Sequence, residues 1–119
     1  MKVLYKNKKV EGVCESEAKA KKFFGGKRNL ADSLLSRVTA LKQAESIKDI
    51  VVQPQFRFHK LNGKLDGFFA MDLTNKNCKW RIIIEPLQED ENKYTPCDID
   101  KIATLVQVVR VEEVSKHYE

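Results

Sequence analysis

The spacing of the apolar residues changes once along this 119-residue chain, and that change limits the folds it can adopt. Before residue 53, apolar residues recur every three or four positions, as they do on one face of a helix. After residue 53, they alternate with polar residues, as they do along a half-buried strand. Helices followed by consecutive strands favour an α+β domain.

The first half of the chain is predicted to contain two helices. The first lies near residues 16–25 and ends at the glycine pair Gly25–Gly26. The second lies near residues 29–46, with Asn29 as its N-cap. Its apolar stripe consists of Leu30, Leu34, Val38 and Leu41. The basic residues off that stripe form either a solvated face or a surface that meets a partner: Lys27, Arg28, Arg37 and Lys42.

Four consecutive strands are predicted near residues 56–61, 66–74, 78–85 and 104–113. A short β element is expected within residues 3–13, and the polar stretch 87–97 is expected to be a loop. Because successive strands with short turns pair antiparallel, we predict two N-terminal helices on one face of a twisted antiparallel sheet. The opposite face is then left open and polar. The sheet residues expected in the core are Trp80, Ile82 and Ile84.

Composition predicts one domain spanning residues 1–119, with 42% hydrophobic and 33% charged residues. The net charge of +5 indicates either simple solubility or an anionic partner such as a nucleic acid. No signal peptide and no membrane-spanning segment are predicted. The three cysteines lie in no metal-binding pattern. We therefore expect free thiols, a cytoplasmic location and no metal or cofactor.

Basic side chains interrupt the predicted strands at positions where a plain sheet needs none. Arg57 and His59 alternate with phenylalanines and would share one face. Arg81 lies inside the apolar run KWRIII, where it either reaches solvent at the sheet margin or holds an anion. His117 and Tyr118 follow the last strand, where they form either a frayed tail or part of a site.

Three segments resemble the RelE/ParE toxin superfamily, and within it the HigB-like plasmid-maintenance killer branch. They are FRFHKLNGKLDGFFAMDL (56–73), CKWRIII (78–84) and VVRVEEVSKHY (108–118). The family pattern is His-x-Leu-x-Gly, then Gly-aromatic-aromatic, an aromatic-Arg-Ile strand and a terminal Tyr/His cluster. The resemblance covers roughly the second half of the chain. The chain departs from the pattern at Asn62, where lysine is common, and in its Lys-His-Tyr-Glu ending.

The resemblance implies a microbial-RNase-like fold and cleavage of mRNA in the ribosomal A site. It assigns catalysis to His59, Arg81 and His117. RNA cleavage without a metal needs a base for the 2′-OH, a cation for the phosphate and an acid for the leaving oxygen. The residues expected to bind RNA are Arg57, Lys60, Lys64, Lys79, Lys116 and Tyr118.

The resemblance also implies partners: the ribosome, mRNA and a cognate antitoxin, often a helix-turn-helix DNA-binding protein. Two other functions remain open at this point. ParE-type relatives share the fold but bind DNA gyrase, and a catalytically decayed member would be only a binding module. The two histidines favour RNA cleavage, because a gyrase binder would not need them.

Overall fold

The computed structural model describes residues 1–74 and 79–116. The strands are β1 (Lys2–Tyr5), β2 (His59–Lys60), β3 (Phe69–Asp72), β4 (Trp80–Leu87) and β5 (Val108–Lys116). The helices are α1 (Lys8–Glu15), α2 (Glu17–Phe23), α3 (Arg28–Gln43), α4 (Lys48–Val51) and α5 (Ile99–Ile102). Short 3₁₀ turns occupy Pro54–Phe56 and Gly63–Leu65. The α+β class predicted from the sequence is confirmed.

In the described part of the chain, five strands form one sheet in the order β1-β5-β4-β3-β2. The β2–β3, β3–β4 and β4–β5 pairs are antiparallel, as predicted. The prediction of a wholly antiparallel sheet is wrong, because β1 pairs parallel with β5. Nearly the whole chain separates these two strands, and apolar spacing carries no information about how such distant segments pair.

Helices α2 and α3 lie close to the predicted ranges, but residues 8–15 form helix α1 where a β element was expected. Capping explains α1: the Asn7 side chain accepts a hydrogen bond from the Val10 amide at 2.9 Å. Ser16 then caps α2 in the same way, through the Lys19 amide. The predicted N-cap of the next helix is wrong, since α3 begins at Arg28, without a side-chain cap.

The helices α1 to α4 pack on one face of the sheet around a single apolar core. The predicted core residues confirmed as buried are Leu34, Val38, Leu41, Ile82 and Ile84. Trp80 is only partly buried, but its ring makes edge contacts with Phe23 and Phe24, at 5.5 and 5.0 Å between centroids. No helix in the described ranges is long and apolar enough to cross a membrane.

All four strand predictions need correction at their ends, and the strand expected at 66–74 is shortened to β3 (Phe69–Asp72). The strand expected at 56–61 is reduced to β2, because Pro54 begins a 3₁₀ turn and Arg57 has the left-handed φ of 46°. β4 continues through Pro86 to Leu87, and β5 begins only at Val108. Residues 75–78, which include the thiol of Cys78, lie outside the described residues. Cys14 and Cys97 are free thiols, as predicted.

A polar cluster ties β1 to α1 and α3. The Glu15 carboxylate accepts hydrogen bonds from the Tyr5 hydroxyl at 2.7 Å and from the Lys42 ammonium at 2.6 Å. The hydrogen bond from Lys42 is the main cause that lowers the pKa of Glu15. Burial, followed by the nearby Glu15 carboxylate, raises the pKa of Tyr5.

We predict that the contribution of this cluster to the free energy of unfolding depends on pH. The pKa of Glu15 is lower in the folded state than in the unfolded state. The ionised carboxylate therefore stabilises the fold at pH values above the unfolded pKa of about 4.3, and this stabilisation is lost as pH falls through the folded pKa. Glu15→Gln should therefore lower the free energy of unfolding at about pH 7 by less than about 1 kcal/mol, since the pair is partly exposed. In urea unfolding, the difference from wild type should shrink as pH falls below about 4 and disappear once the pH lies below the folded pKa of Glu15. A difference that grew on acidification would contradict this assignment.

Candidate active site

The sheet face opposite the helices carries the candidate site. Residues paired across neighbouring strands share a face, and the register pairs His59 with Ala70, Ala70 with Ile83, and Asp72 with Arg81. Since Ile82 points into the helix-covered core, its neighbours Arg81 and Ile83 point away from it. Alternation along β3 and β4 therefore places His59, Asp72 and Arg81 on the same side of the sheet.

The backbone at Arg57 orients the His59 ring. His59 Nδ1 lies 2.6 Å from the Arg57 carbonyl oxygen. A carbonyl oxygen can only accept, so Nδ1–H is the donor. In the neutral ring the other nitrogen, Nε2, then carries the lone pair and can accept a proton. The ring is exposed to solvent, so a substrate can reach Nε2.

The side chain of Arg57 points to a residue that the sequence analysis missed. Its Nε lies 3.3 Å from Asp72 Oδ2, and this ion pair joins the turn before β2 to the end of β3. Arg57, which was expected to bind RNA, thus also forms an ion pair within the protein. Asp72 had no sequence signal, because a single aspartate at a strand end is common at ordinary turns.

Helix α3 also holds the turn before β2. Arg37 Nε donates a hydrogen bond to the Asp72 carbonyl oxygen at 3.1 Å. Its guanidinium lies 4.6 Å from the centroid of the buried Phe56 ring. Arg37 was placed on a solvated or partner-facing surface, but it is half-buried and supports the segment that carries His59.

Arg81 lies between Asp72 of β3 and Ser115 of β5 in the register. Its Nε is buried and has no hydrogen-bond partner among the described residues. The facing carboxylate does not serve it, because Asp72 is paired with Arg57 instead. Buried donors are nearly always satisfied, and a planar guanidinium with a free N–H suits a phosphate. Arg81 is therefore the strongest candidate for an anion-binding group on this face.

The sheet face opposite the helices is less open than predicted. Leu61 and Ile83 are buried there against Ala70, with Leu65 and Phe68 packed around them. Residues 61–68 connect β2 to β3, and the Leu61 amide extends their pairing by donating a hydrogen bond to the Phe68 carbonyl at 3.0 Å. Along β4, the buried Ile83 therefore lies between Arg81 and Glu85 on this face.

A buried ion pair occupies that other end of β4. Glu85 is 3% exposed and accepts a hydrogen bond from Arg110 Nη2, while Lys93 Nζ lies 3.7 Å from it. This ion pair could not be predicted from the sequence. Glu85 and Arg110 lie on different strands, and the register between those strands is known only from the structure. Glu85 and Arg110 neutralise each other, whereas Arg81 forms no ion pair with any residue in the part of the chain that the structure describes.

The remaining predicted residues divide into three groups. Lys64 and Lys79 are exposed to solvent. Lys60 Nζ lies 3.8 Å from Asp66 Oδ1. Lys116 is paired with Trp80, and its ammonium lies 5.4 Å from that ring. It therefore lies on the helix side of the sheet, away from Arg81. His117 and Tyr118 lie outside the described residues.

Comparison with known proteins adds no relative: the chain matches no protein-family model, and no curated protein matches its sequence.

The geometry predicts the tautomer of His59. In its neutral form, the ring should carry its proton on Nδ1 and leave Nε2 unprotonated. Long-range ¹H–¹⁵N NMR of the imidazole measures this directly, and the variant His117→Gln leaves only the His59 signals. A neutral ring protonated at Nε2 would show that the Arg57 carbonyl does not orient it.

Proposed function

We propose that this chain is the toxin of a type II toxin–antitoxin system and cleaves mRNA on the ribosome without a metal. One observation carries the proposal: an oriented histidine and an arginine with an unsatisfied buried N–H share one sheet face. The resemblance of residues 56–73, 78–84 and 108–118 to the HigB-like branch of the RelE/ParE superfamily supports the same conclusion.

In this mechanism the 2′-OH of the substrate attacks the adjacent phosphorus. His59 Nε2 removes the hydroxyl proton, since Nδ1 is already committed to the Arg57 carbonyl. The new O–P bond forms as the bond to the 5′-oxygen breaks, so the products are a 2′,3′-cyclic phosphate and a 5′-hydroxyl. Arg81 stabilises the negative charge that develops on the phosphate oxygens.

The leaving 5′-oxygen needs a proton, and we assign its donor to His117. The only other histidine, His59, already acts as the base, and both histidines fall in segments that resemble the toxin family. The exposed Lys64 and Lys79 would contact the RNA backbone, as would the outer edge of Arg57. The resemblance to ribosome-dependent toxins implies that the ribosome presents the mRNA, so we expect free RNA to be a poor substrate.

We predict that Arg81→Met abolishes cleavage without lowering the free energy of unfolding. The substitution removes a charge needed in the transition state, and it also removes a buried N–H that has no partner in the described fold. Cleavage is measured by primer extension on a translated reporter mRNA with purified ribosomes. Arg81→Lys, which keeps the charge and loses the planar fork, should retain a small part of the activity.

His59→Gln and His117→Gln should each slow cleavage by about two orders of magnitude, as loss of a general acid or base does. Arg57→Ala should slow cleavage less than the histidine variants do. The His59 ring is held by the backbone carbonyl of residue 57, and this variant keeps that carbonyl. Lys101→Gln is the matched control, since Lys101 lies on α5 with its side chain 83% exposed.

Circular dichroism of each variant checks that it is folded. Wild-type cleavage by both histidine variants would refute the acid–base assignment. Growth arrest with intact transcripts and altered DNA supercoiling would instead favour the gyrase-binding function of ParE-type toxins.

The proposed antitoxin is tested at the level of the gene. We expect a small open reading frame beside this one to encode a helix-turn-helix protein that co-purifies with the chain and suppresses its toxicity. Expression of this chain alone should arrest growth. Normal growth together with recovery of the chain alone after co-expression would count against a toxin–antitoxin pair.

A further inference from the structure

A groove between α1 and α2 lies on the helix-covered side of the sheet, away from Arg81. Its volume is about 330 Å³. The rim is formed by Lys8, Lys9, Lys19 and Lys22, and the floor by Gly12, Val13 and Phe23. None of the residues that line this groove has a role in the proposed cleavage mechanism.

The four rim lysines are exposed and have no ion-pair partner in the described part of the chain. Two nearby carboxylates are engaged elsewhere: Glu15 binds Lys42, and Glu112 binds Lys6. Lys19 and Lys22 are three residues apart on one helix, where like charges repel each other. A rim of this kind is stabilised when an anionic partner neutralises it.

Gly12 leaves room in the groove for the Lys19 side chain. Glycine is unfavourable inside a helix, yet it lies in the middle of α1. A Cβ atom at residue 12 would lie 3.1 Å from Lys19 Cδ and 3.3 Å from Lys19 Nζ. The missing side chain thus lets the Lys19 side chain cross toward α1 and leaves Val13 and Phe23 at the bottom of the groove.

The floor is rigid as well as apolar. Phe23 makes edge contacts with the rings of Phe24 and Trp80, at 5.1 and 5.5 Å between centroids. A fixed apolar floor with a cationic rim fits a protein segment better than an RNA backbone. The reason is that phosphate contacts would use the lysines and leave the floor without a partner.

We propose that this groove binds an acidic protein segment that places one apolar side chain on the floor and its carboxylates on the lysine rim. The proposal goes beyond the cleavage function and does not depend on it. The segment would bind the full chain without covering His59 or Arg81, since the groove and those residues lie on opposite sides of the sheet.

The test is an NMR titration of the ¹⁵N-labelled chain with a short peptide in which glutamates flank a single leucine. We expect saturable shifts centred on the amides of Gly12, Val13 and Phe23, weakening as salt rises. One control peptide has serine in place of the leucine, and another has glutamines in place of the glutamates. Both should bind more weakly, because each removes one of the two contacts.

Two variants and one matched control locate the binding on the protein. Lys9→Gln combined with Lys22→Gln should weaken binding by about fivefold or more, as loss of two exposed charge contacts does. Gly12→Leu keeps every lysine residue but fills the space beside the floor that the Lys19 side chain occupies, so it should also weaken binding. Lys48→Gln combined with Lys101→Gln removes the same charge from exposed sites outside the groove and should have no effect.

Three outcomes would overturn the proposal. The first is equal binding of the serine peptide, which would mean that the floor is not used. The second is equal weakening by the control pair of lysines. The third is a short RNA oligonucleotide that shifts the groove amides at lower concentration than the peptide, which would make this a nucleic-acid surface. If Gly12→Leu does not fold, the lysine pair still decides the question.

Discussion

The central strand β4 is the element on which both faces of this molecule depend. It lies between β3 and β5, so its backbone is paired on both sides. Its side chains alternate between the two faces of the sheet. Ile82 and Ile84 lie in the helix-covered core, whereas Arg81, Ile83 and Glu85 lie on the opposite face. Burial of the isoleucines fixes the register, because a shift by one residue would bring Arg81 into the core. The position of the candidate anion-binding group therefore follows from packing on the far side of the sheet.

The other half of the candidate site depends on α3, which never touches substrate in the proposed mechanism. Arg37 reaches from that helix to the Asp72 carbonyl and the Phe56 ring, and Asp72 in turn binds Arg57. This chain of contacts holds the left-handed turn whose carbonyl orients His59. A histidine on a two-residue edge strand would otherwise be free to rotate. Orientation before substrate binds is what a general base requires.

The two faces of the molecule differ in how their positive charge is used. On the site face, most cations near β4 are neutralised: Arg57 by Asp72, and Arg110 by Glu85. Among the described residues, the buried Arg81 Nε has no hydrogen-bond partner, which makes Arg81 the candidate anion-binding group of this face. On the helix face, the α1–α2 groove instead collects four lysines around an apolar floor. The net charge of +5 does not reveal this division, because it is the balance of 22 basic and 17 acidic side chains over the whole chain.

The sequence by itself determined the α+β class, the positions of α2 and α3, and most of the core, because these follow from local spacing of apolar residues. It also singled out His59 and Arg81, since a basic residue in an apolar strand stands out without any structure. Tertiary structure decided the rest: the parallel β1–β5 pair, the left-handed turn at Arg57, the Asp72 and Glu85 ion pairs, and the groove floored by Gly12. Each of these joins residues that are distant in the chain or depends on one backbone angle. Apolar periodicity reports which face of an element is buried, but not which other element covers that face.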